Sequence, residues 1–306
     1  MFDTPILFLV FNRPETTKQV FEIIKEIKPS YLFIAADGPR VEREDDVIKC
    51  KEVREIVSNI DWDCQVKTLF RQENLGCGTS VNQAIDWFFE HVEQGIILED
   101  DCLPEISFFE FCQKVLTYYS SNEKIKMICG TNYLFNRFDN SDSFFFSKFS
   151  LIWGWATWRR VWVDFKRNFD FSKLDDVDQL LQSRFEDKHL LHWYKMMYND
   201  IIQSKINTWD IQFAYYIYAK DGLSVIPYKN QVRNIGYIGT HMNNNLKAKF
   251  FNMPVKSINL NNVNFTPDIK QNKYADKYVS KGIVMAHELK PDNWLIRKYK
   301  KVFRVK

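Results

Sequence analysis

The chain has 306 residues, 45% of them hydrophobic and 26% charged, enough to bury a substantial core in one large domain or two smaller ones. A net charge of +3, with no Lys/Arg block interleaved with aromatics in the body of the chain, argues against nucleic-acid binding. Six scattered cysteines without a CxxC pair argue against structural zinc and fit reduced thiols in a cytoplasmic protein, and no apolar run approaches a membrane span in length.

Residues 1–10 lack a basic leader region and a cleavage site, so they read as a first strand and not as a signal peptide. Residues 5–11 (PILFLVF) are a continuous apolar run, as in a strand buried on both faces. Asn12-Arg13-Pro14 turns into a helix with Val20, Phe21, Ile23, Ile24 and Ile27 as its apolar stripe, closed by Pro29. Residues 31–36 (YLFIAA) give a second strand ending at Asp37-Gly38-Pro39. A helix over 47–60 and a third strand over 64–70 follow. Asn74-Leu75-Gly76-Cys77-Gly78 is a glycine-bearing loop that opens a helix running through His91. The fourth strand, residues 96–98, stops at Glu99-Asp100-Asp101, and Pro104 is expected to keep these acids on a loop past the strand's end. This alternation predicts the α/β class, a sheet with parallel strands flanked by helices, with residues 1–105 as its first half. Asn12, Arg13, Asp37, Asp100 and Asp101 are then expected along one sheet edge, where ligands bind in open α/β sheets.

Residues 106–242 read as the second half of the same domain. A helix is predicted over 106–120, a short strand over 125–130 and a polar loop over 132–142. Residues 144–158 are rich in aromatics, with Trp153, Trp155 and Trp158 grouped around Gly154. Residues 172–205 look helical and surface-facing. Asp210 falls in the first turn of a helix over 211–219, where the helix dipole favours an anion. A strand over 223–226 precedes a polar loop, 230–242, holding Arg233, Asn234 and His241. The remainder, 243–306, reads as an extension, with an Asn- and Lys-rich excursion over 243–273. Its tail, 294–306, mixes basic and aromatic residues and reads either as a solvated helix or as a peripheral contact with an anionic membrane.

Three adjacent acids repel one another unless a cation or hydrogen-bond donors compensate, and hard oxygen donors suit Mg²⁺ or Mn²⁺. The planar fork of Arg13 suits a diphosphate. The Asp37 carboxylate suits the imide N–H of a pyrimidine. Taken together, the strand ends describe a nucleoside-diphosphate site. A competing pattern is Gly76-x-Gly78-x-x-Val81, half of a dinucleotide fingerprint, which would make the chain an NAD(P)-dependent oxidoreductase. Against it, Val81 replaces a small residue, and the loop follows the third strand instead of the first. The tryptophans alone allow a catalytically inactive carbohydrate-binding protein. Nucleotidyl transfer or phosphate hydrolysis uses the same acids, but a glycine-rich, lysine-bearing first loop is missing.

Phe11-Asn12-Arg13-Pro14, Ala36-Asp37-Gly38, Asn74-Leu75-Gly76, Glu99-Asp100-Asp101 and Phe108-Phe109-Glu110-Phe111 resemble the ordered motifs of GT-A fold nucleotide-diphospho-sugar transferases. The likeness is to the N-acetylglucosaminyltransferase I type and to family 2-like bacterial glycosyltransferases. It extends to Trp153-Gly154-Trp155 and Trp209-Asp210. The resemblance implies a Rossmann-like mixed sheet and a metal-dependent, inverting transferase. It would use a UDP-sugar and a glycan or lipid-linked acceptor, working in the cytoplasm or at the inner membrane face, as in polysaccharide biosynthesis. Carried over by position, it places Arg13 on the phosphates, Asp37 on the base, Asp100 on the ribose and Glu99 by the donor sugar. Asn12, Asn74 and Gly76 complete the nucleotide site, and Asp101 ligates Mn²⁺ (or Mg²⁺). Asp210 is then the general base, Trp153 and Trp155 line the acceptor cleft, and His241 is a candidate metal or phosphate contact. Ile211 stands where the family has a second Asp, so the alignment of the base is open at this point.

Overall fold

The computed structural model describes residues 2–138, 142–236 and 253–286. His241 and the basic tail lie outside the described residues.

The first half follows the expected alternation. Strand β1 (Ile6–Val10) is buried at every position, so it lies in the middle of a sheet covered on both faces. Helix α1 (Pro14–Ile27) starts on a proline whose missing N–H costs nothing in the first turn, and ends at Lys28 in the left-handed conformation. Strand β2 (Tyr31–Ala36) and helix α2 (Glu44–Ser58) follow, then β3 (Gln65–Phe70). Helix α3 (Cys77–His91) enters from Gly76, whose φ of 76° suits glycine. Strand β4 (Gln94–Glu99) carries the acids at its end. Strands β1 to β4 pair in parallel, in the order β3-β2-β1-β4. Chain direction across the sheet therefore reverses between β1 and β4, and the crevice outside their carboxyl ends is the switch point.

Pro104 does not end the extended chain. Cys102–Pro104 forms a short strand, β5, so Asp100 and Asp101 sit in the tight turn between β4 and β5. Its partner, Val232–Asn234, lies in the segment expected to be a loop, and the two pair antiparallel. Pro104 is tolerated because it stands at the end of a two-stranded ribbon.

The second half extends the same sheet. Helix α4 (Ile106–Tyr118) leads to β6 (Ile125–Cys129), and the aromatic segment supplies β7 (Phe144–Ser147) and β8 (Trp155–Trp158). Helices α5 (Arg159–Asn168), α6 (Val177–Arg184), α7 (Lys188–Ile202) and α8 (Asp210–Ala219) follow, then β9 (Leu223–Pro227) and the ribbon strand β10 (Val232–Asn234). The result is one mixed eight-stranded sheet, β3-β2-β1-β4-β8-β6-β9-β7, flanked by helices, the expected α/β class. Residues 253–272 are not a loose excursion. The Ser257 hydroxyl donates to Glu105 (2.6 Å), Tyr119 donates to the carbonyl of Thr266 (2.9 Å), and Gln271 bridges to Phe146 on the edge strand β7. Helix α9 (Lys273–Ala286) then packs on β7 and covers that edge. No helix among the described residues is long and apolar enough to cross a membrane.

Trp155 and Trp158 are 1% and 3% exposed. Trp155 stacks on Trp209 (centroids 5.5 Å apart, 23°) and packs against Trp162 and Phe213, so it offers no face to an acceptor sugar. The expected pair of acceptor tryptophans reduces to Trp153, the half-buried one, which meets Tyr133 edge-on (5.6 Å, 90°). Because Trp155 fills the space between the sheet and α5 and α8, Trp155→Ala is expected to cost about 3–5 kcal/mol. A denaturant melt with an unchanged slope would check it.

Candidate functional site

Arg13, three residues past the end of β1, reaches across the switch point to the β4–β5 turn. Its Nη1 donates to Asp101 Oδ2 (2.5 Å) and to Asp100 Oδ1 (3.3 Å). Asp100 is further pinned to β1 by the backbone N–H of Phe11 (3.2 Å). Asp101 is held from behind by the ribbon: Ile235 N–H donates to its carbonyl (2.7 Å) and the Asn234 side-chain amide to its Oδ1 (3.4 Å). Gly236 lies so close that a Cβ there would strike the Asp101 carboxylate.

Burial disfavours the Arg13 charge, yet Asp100 and Asp101 outweigh it and raise the guanidinium above its usual range. Burial pushes the Glu99 and Asp100 carboxyls up. Asp101, Asp100 and Asp210 add to the rise at Glu99, while Arg13 opposes it at both. Asp210, at the start of α8, thus acts electrostatically on the end of β4. Burial raises its own carboxyl, the Thr208 hydroxyl and the Ile211 N–H opposing. Three carboxyl groups and one guanidinium therefore meet at the switch point, with Asp210 near enough to act on Glu99 and acid in excess. Cys77, in the first turn of α3, stands beside them as an exposed residue, and its thiol is raised by the crowding of protein around it and then by Glu99 and Asp210. Nothing in the sequence singled out Cys77, since its neighbours come from three other segments.

The α3 end is brought to Asp210 by close backbone packing. A Cβ on Gly78 would stand 2.6 Å from the carbonyl oxygen of Asn207, and the Asn207 amide donates to Thr79 (3.2 Å). The glycine that half-matches a dinucleotide loop thus has a packing reason of its own.

Asp37 is 7% exposed, and its carboxylate fastens the next loop: Oδ1 accepts from the N–H groups of Gly38 (3.0 Å) and Leu75 (3.1 Å), and Oδ2 from Asn74 (3.0 Å). Asn74 also donates to the carbonyl of Gly38 (2.9 Å). The structure gives Asp37 and Asn74 to each other, on the rim beside the switch point. Asn12 does not face the acids. Its amide donates to Asp46 (2.6 Å) in α2. Asp46, fully buried, also takes the Arg40 guanidinium two-pronged (2.6 and 2.9 Å), and Arg40 lies over the Phe11 ring (5.4 Å). Three acids opening α2 gave no reason in the sequence to single this one out.

Arg40 and then Asn12 hold the Asp46 carboxyl down at about 2, against burial. A carboxyl lowered on folding stabilises the chain at neutral pH and loses that contribution as pH falls from the ordinary carboxylate range through about 2. Because Arg40 is 45% exposed, the pair is screened, and Asp46→Asn is expected to cost about 1–2 kcal/mol at pH 7. Thermal melts of both proteins should converge on acidification below about pH 4.

Among the described residues, no three His, Cys, Asp or Glu side chains are arranged to hold a metal by themselves. The acid excess nonetheless fits a hard divalent cation that takes one or two carboxylates here and completes its shell from ligand oxygens.

No protein-family model matches this chain, and no curated protein matches it. Solved structures that resemble it include 4-diphosphocytidyl-2C-methyl-D-erythritol synthase from Anaerococcus prevotii (7% identity, 74% of this chain and 89% of that one, TM-score 0.36). Others are a UDP-glucose pyrophosphorylase (10%, 76% and 93%, TM-score 0.35) and mouse xyloside xylosyltransferase 1 (10%, 70% and 81%, TM-score 0.32). Scores and identities this low establish neither family nor chemistry.

Proposed function

We propose that this chain is a metal-dependent glycosyltransferase that moves a sugar from a nucleoside-diphosphate donor, UDP-linked, to a glycan or lipid-linked acceptor hydroxyl with inversion. The observation that carries this reading is the meeting of Arg13, Glu99, Asp100 and Asp101 at the β1–β4 switch point with Asp210 from the second half of the chain.

Arg13 is the diphosphate contact: its guanidinium presents further N–H donors beyond those given to the acids. Asp101, backed by Asn234 and Gly236, would hold Mn²⁺ or Mg²⁺, and Glu99, at the end of β4, would lie by the donor sugar. The cation, when bound, stabilises the charge that collects on the departing nucleoside diphosphate. Asp100, tied to the N–H of Phe11, is the ribose contact on this reading. The Asp37–Asn74–Gly76 rim receives the base: one Asp37 oxygen has a single protein donor and keeps accepting capacity. Asp210 takes the proton from the acceptor hydroxyl, and burial, which raises its carboxyl, makes it the stronger base. Trp153 with Tyr133 forms the acceptor wall.

Calorimetry with UDP, GDP and NADH, each with and without Mn²⁺, tests the reading. A nucleoside diphosphate that binds only with metal supports it, and a donor panel scored by nucleotide release then identifies the sugar. NADH binding without metal would replace it by an oxidoreductase.

A further inference from the structure

Lys273, Lys277 and Lys281 recur every fourth residue along α9, and all three are exposed. With Lys148 they line a cleft of about 540 Å³ between α9 and the α6–α7 junction. Of the three acids in the lining, Glu186 acts on Lys148 and offsets part of the positive charge, while the other two are committed elsewhere. Asp276 is buried and accepts from the Ser147 hydroxyl (2.5 Å), the Gln271 amide (2.6 Å) and the N–H of Lys148 (3.3 Å). Asp187 caps α7 through the N–H groups of His189 and Leu190. Arg184 is taken up by the carbonyl of Tyr218 and by Asp221 (2.8 Å). Among the described residues, none of the ion pairs involves Lys273, Lys277 or Lys281. Like charges four apart destabilise a helix, and an anion in the cleft relieves them. The hydroxyl of Ser280, on the same helix as the lysines, adds a donor. A membrane surface engages a convex or flat patch, whereas a cleft between two helical layers takes a discrete group.

Helix α9 also touches the aromatic segment. Gly282, next after Lys281, packs against Tyr133, which meets Trp153 edge-on.

We propose that this cleft binds a phosphoryl group. On the transferase reading, on which this second step rests, the group belongs to the acceptor, a phosphate-bearing glycan or a lipid-linked diphosphate lying along α9 toward Trp153. The test uses the full chain in EDTA, with inorganic pyrophosphate as the probe at about physiological ionic strength. Replacing Lys273, Lys277 and Lys281 together by Gln is expected to weaken pyrophosphate binding by about tenfold or more. Replacing the exposed Lys18, Lys51 and Lys67 by Gln removes the same charge and is expected to leave binding unchanged. Arg13→Ala is expected to retain it, which separates the cleft from the crevice. Equal weakening by both lysine sets, or no weakening by the first, overturns the proposal. So does a first set that loses only its association with phosphatidylglycerol vesicles, which would mark a membrane contact. If the chain binds pyrophosphate in the cleft but releases nucleotide from no donor, the transferase reading falls and the phosphoryl site stands. With a phosphorylated acceptor in hand, the first set is expected to raise the acceptor KM and leave the donor KM unchanged. A soluble phosphate-bearing glycan and a polyprenyl diphosphate in micelles distinguish the two sources.

Discussion

Asp101→Ala is expected to abolish metal-dependent binding of UDP while leaving the fold in place. Asp101 sits in the β4–β5 turn, and its carboxylate is at once the Arg13 partner and the group aimed forward by the ribbon. Removing it leaves Arg13 with Asp100, so the guanidinium stays paired and the structural loss is confined to about 1–2 kcal/mol. The functional loss is larger, because a cation with no three-ligand cage among the described residues depends on each carboxylate it has. Activity is expected to fall by about 10³-fold, in line with losing several kcal/mol of leaving-group stabilisation. Calorimetry with UDP and Mn²⁺ checks this directly, and Asp101→Asn, which keeps the shape and removes the charge, should behave the same way. Metal-dependent UDP binding that survives both changes would remove Asp101 from the site.

Asp210→Asn is expected to separate binding from turnover. The amide fills the same space, keeps the Thr208 contact and removes a buried charge, so the fold should be as stable or slightly more so. UDP affinity should be unchanged, while kcat falls by about 10²–10⁴-fold, the usual worth of a positioned general base. Rapid-quench turnover beside calorimetry reads both quantities on one preparation. A variant with full activity would show that the proton goes elsewhere.

The first half of the fold was legible because its strands are continuous apolar runs and its helices carry clear stripes. β1 is buried throughout, and Pro14 marks the start of α1. That Arg13, Asp100 and Asp101 lie along one edge followed from strand order, since a parallel sheet brings those ends together; that they pair with one another did not. The ribbon strand Val232–Asn234 was not legible: three residues between polar neighbours carry no period, and only the partner at Cys102–Pro104 makes them a strand. Burial of at least one of Trp153, Trp155 and Trp158 was to be expected, but that Trp155 is among the buried ones was not legible, for a related reason. A tryptophan suits a core and a sugar face equally, and what decided it was Trp209, more than fifty residues further along. Asn12 was singled out as a ligand contact, but its side chain is engaged by Asp46, and Asp37 shares its carboxylate with Asn74. Polar groups at strand ends serve local fastening as readily as recognition, and spacing does not tell the two apart.

The β5–β10 ribbon has one more implication. Asp101 and Asn234 touch although they are 133 residues apart, so the forward acid acquires its orientation only once nearly all of the sheet has assembled. On the proposed reading, a chain emerging during synthesis would carry the residues for the nucleotide on its first four strands and still lack an oriented cation ligand.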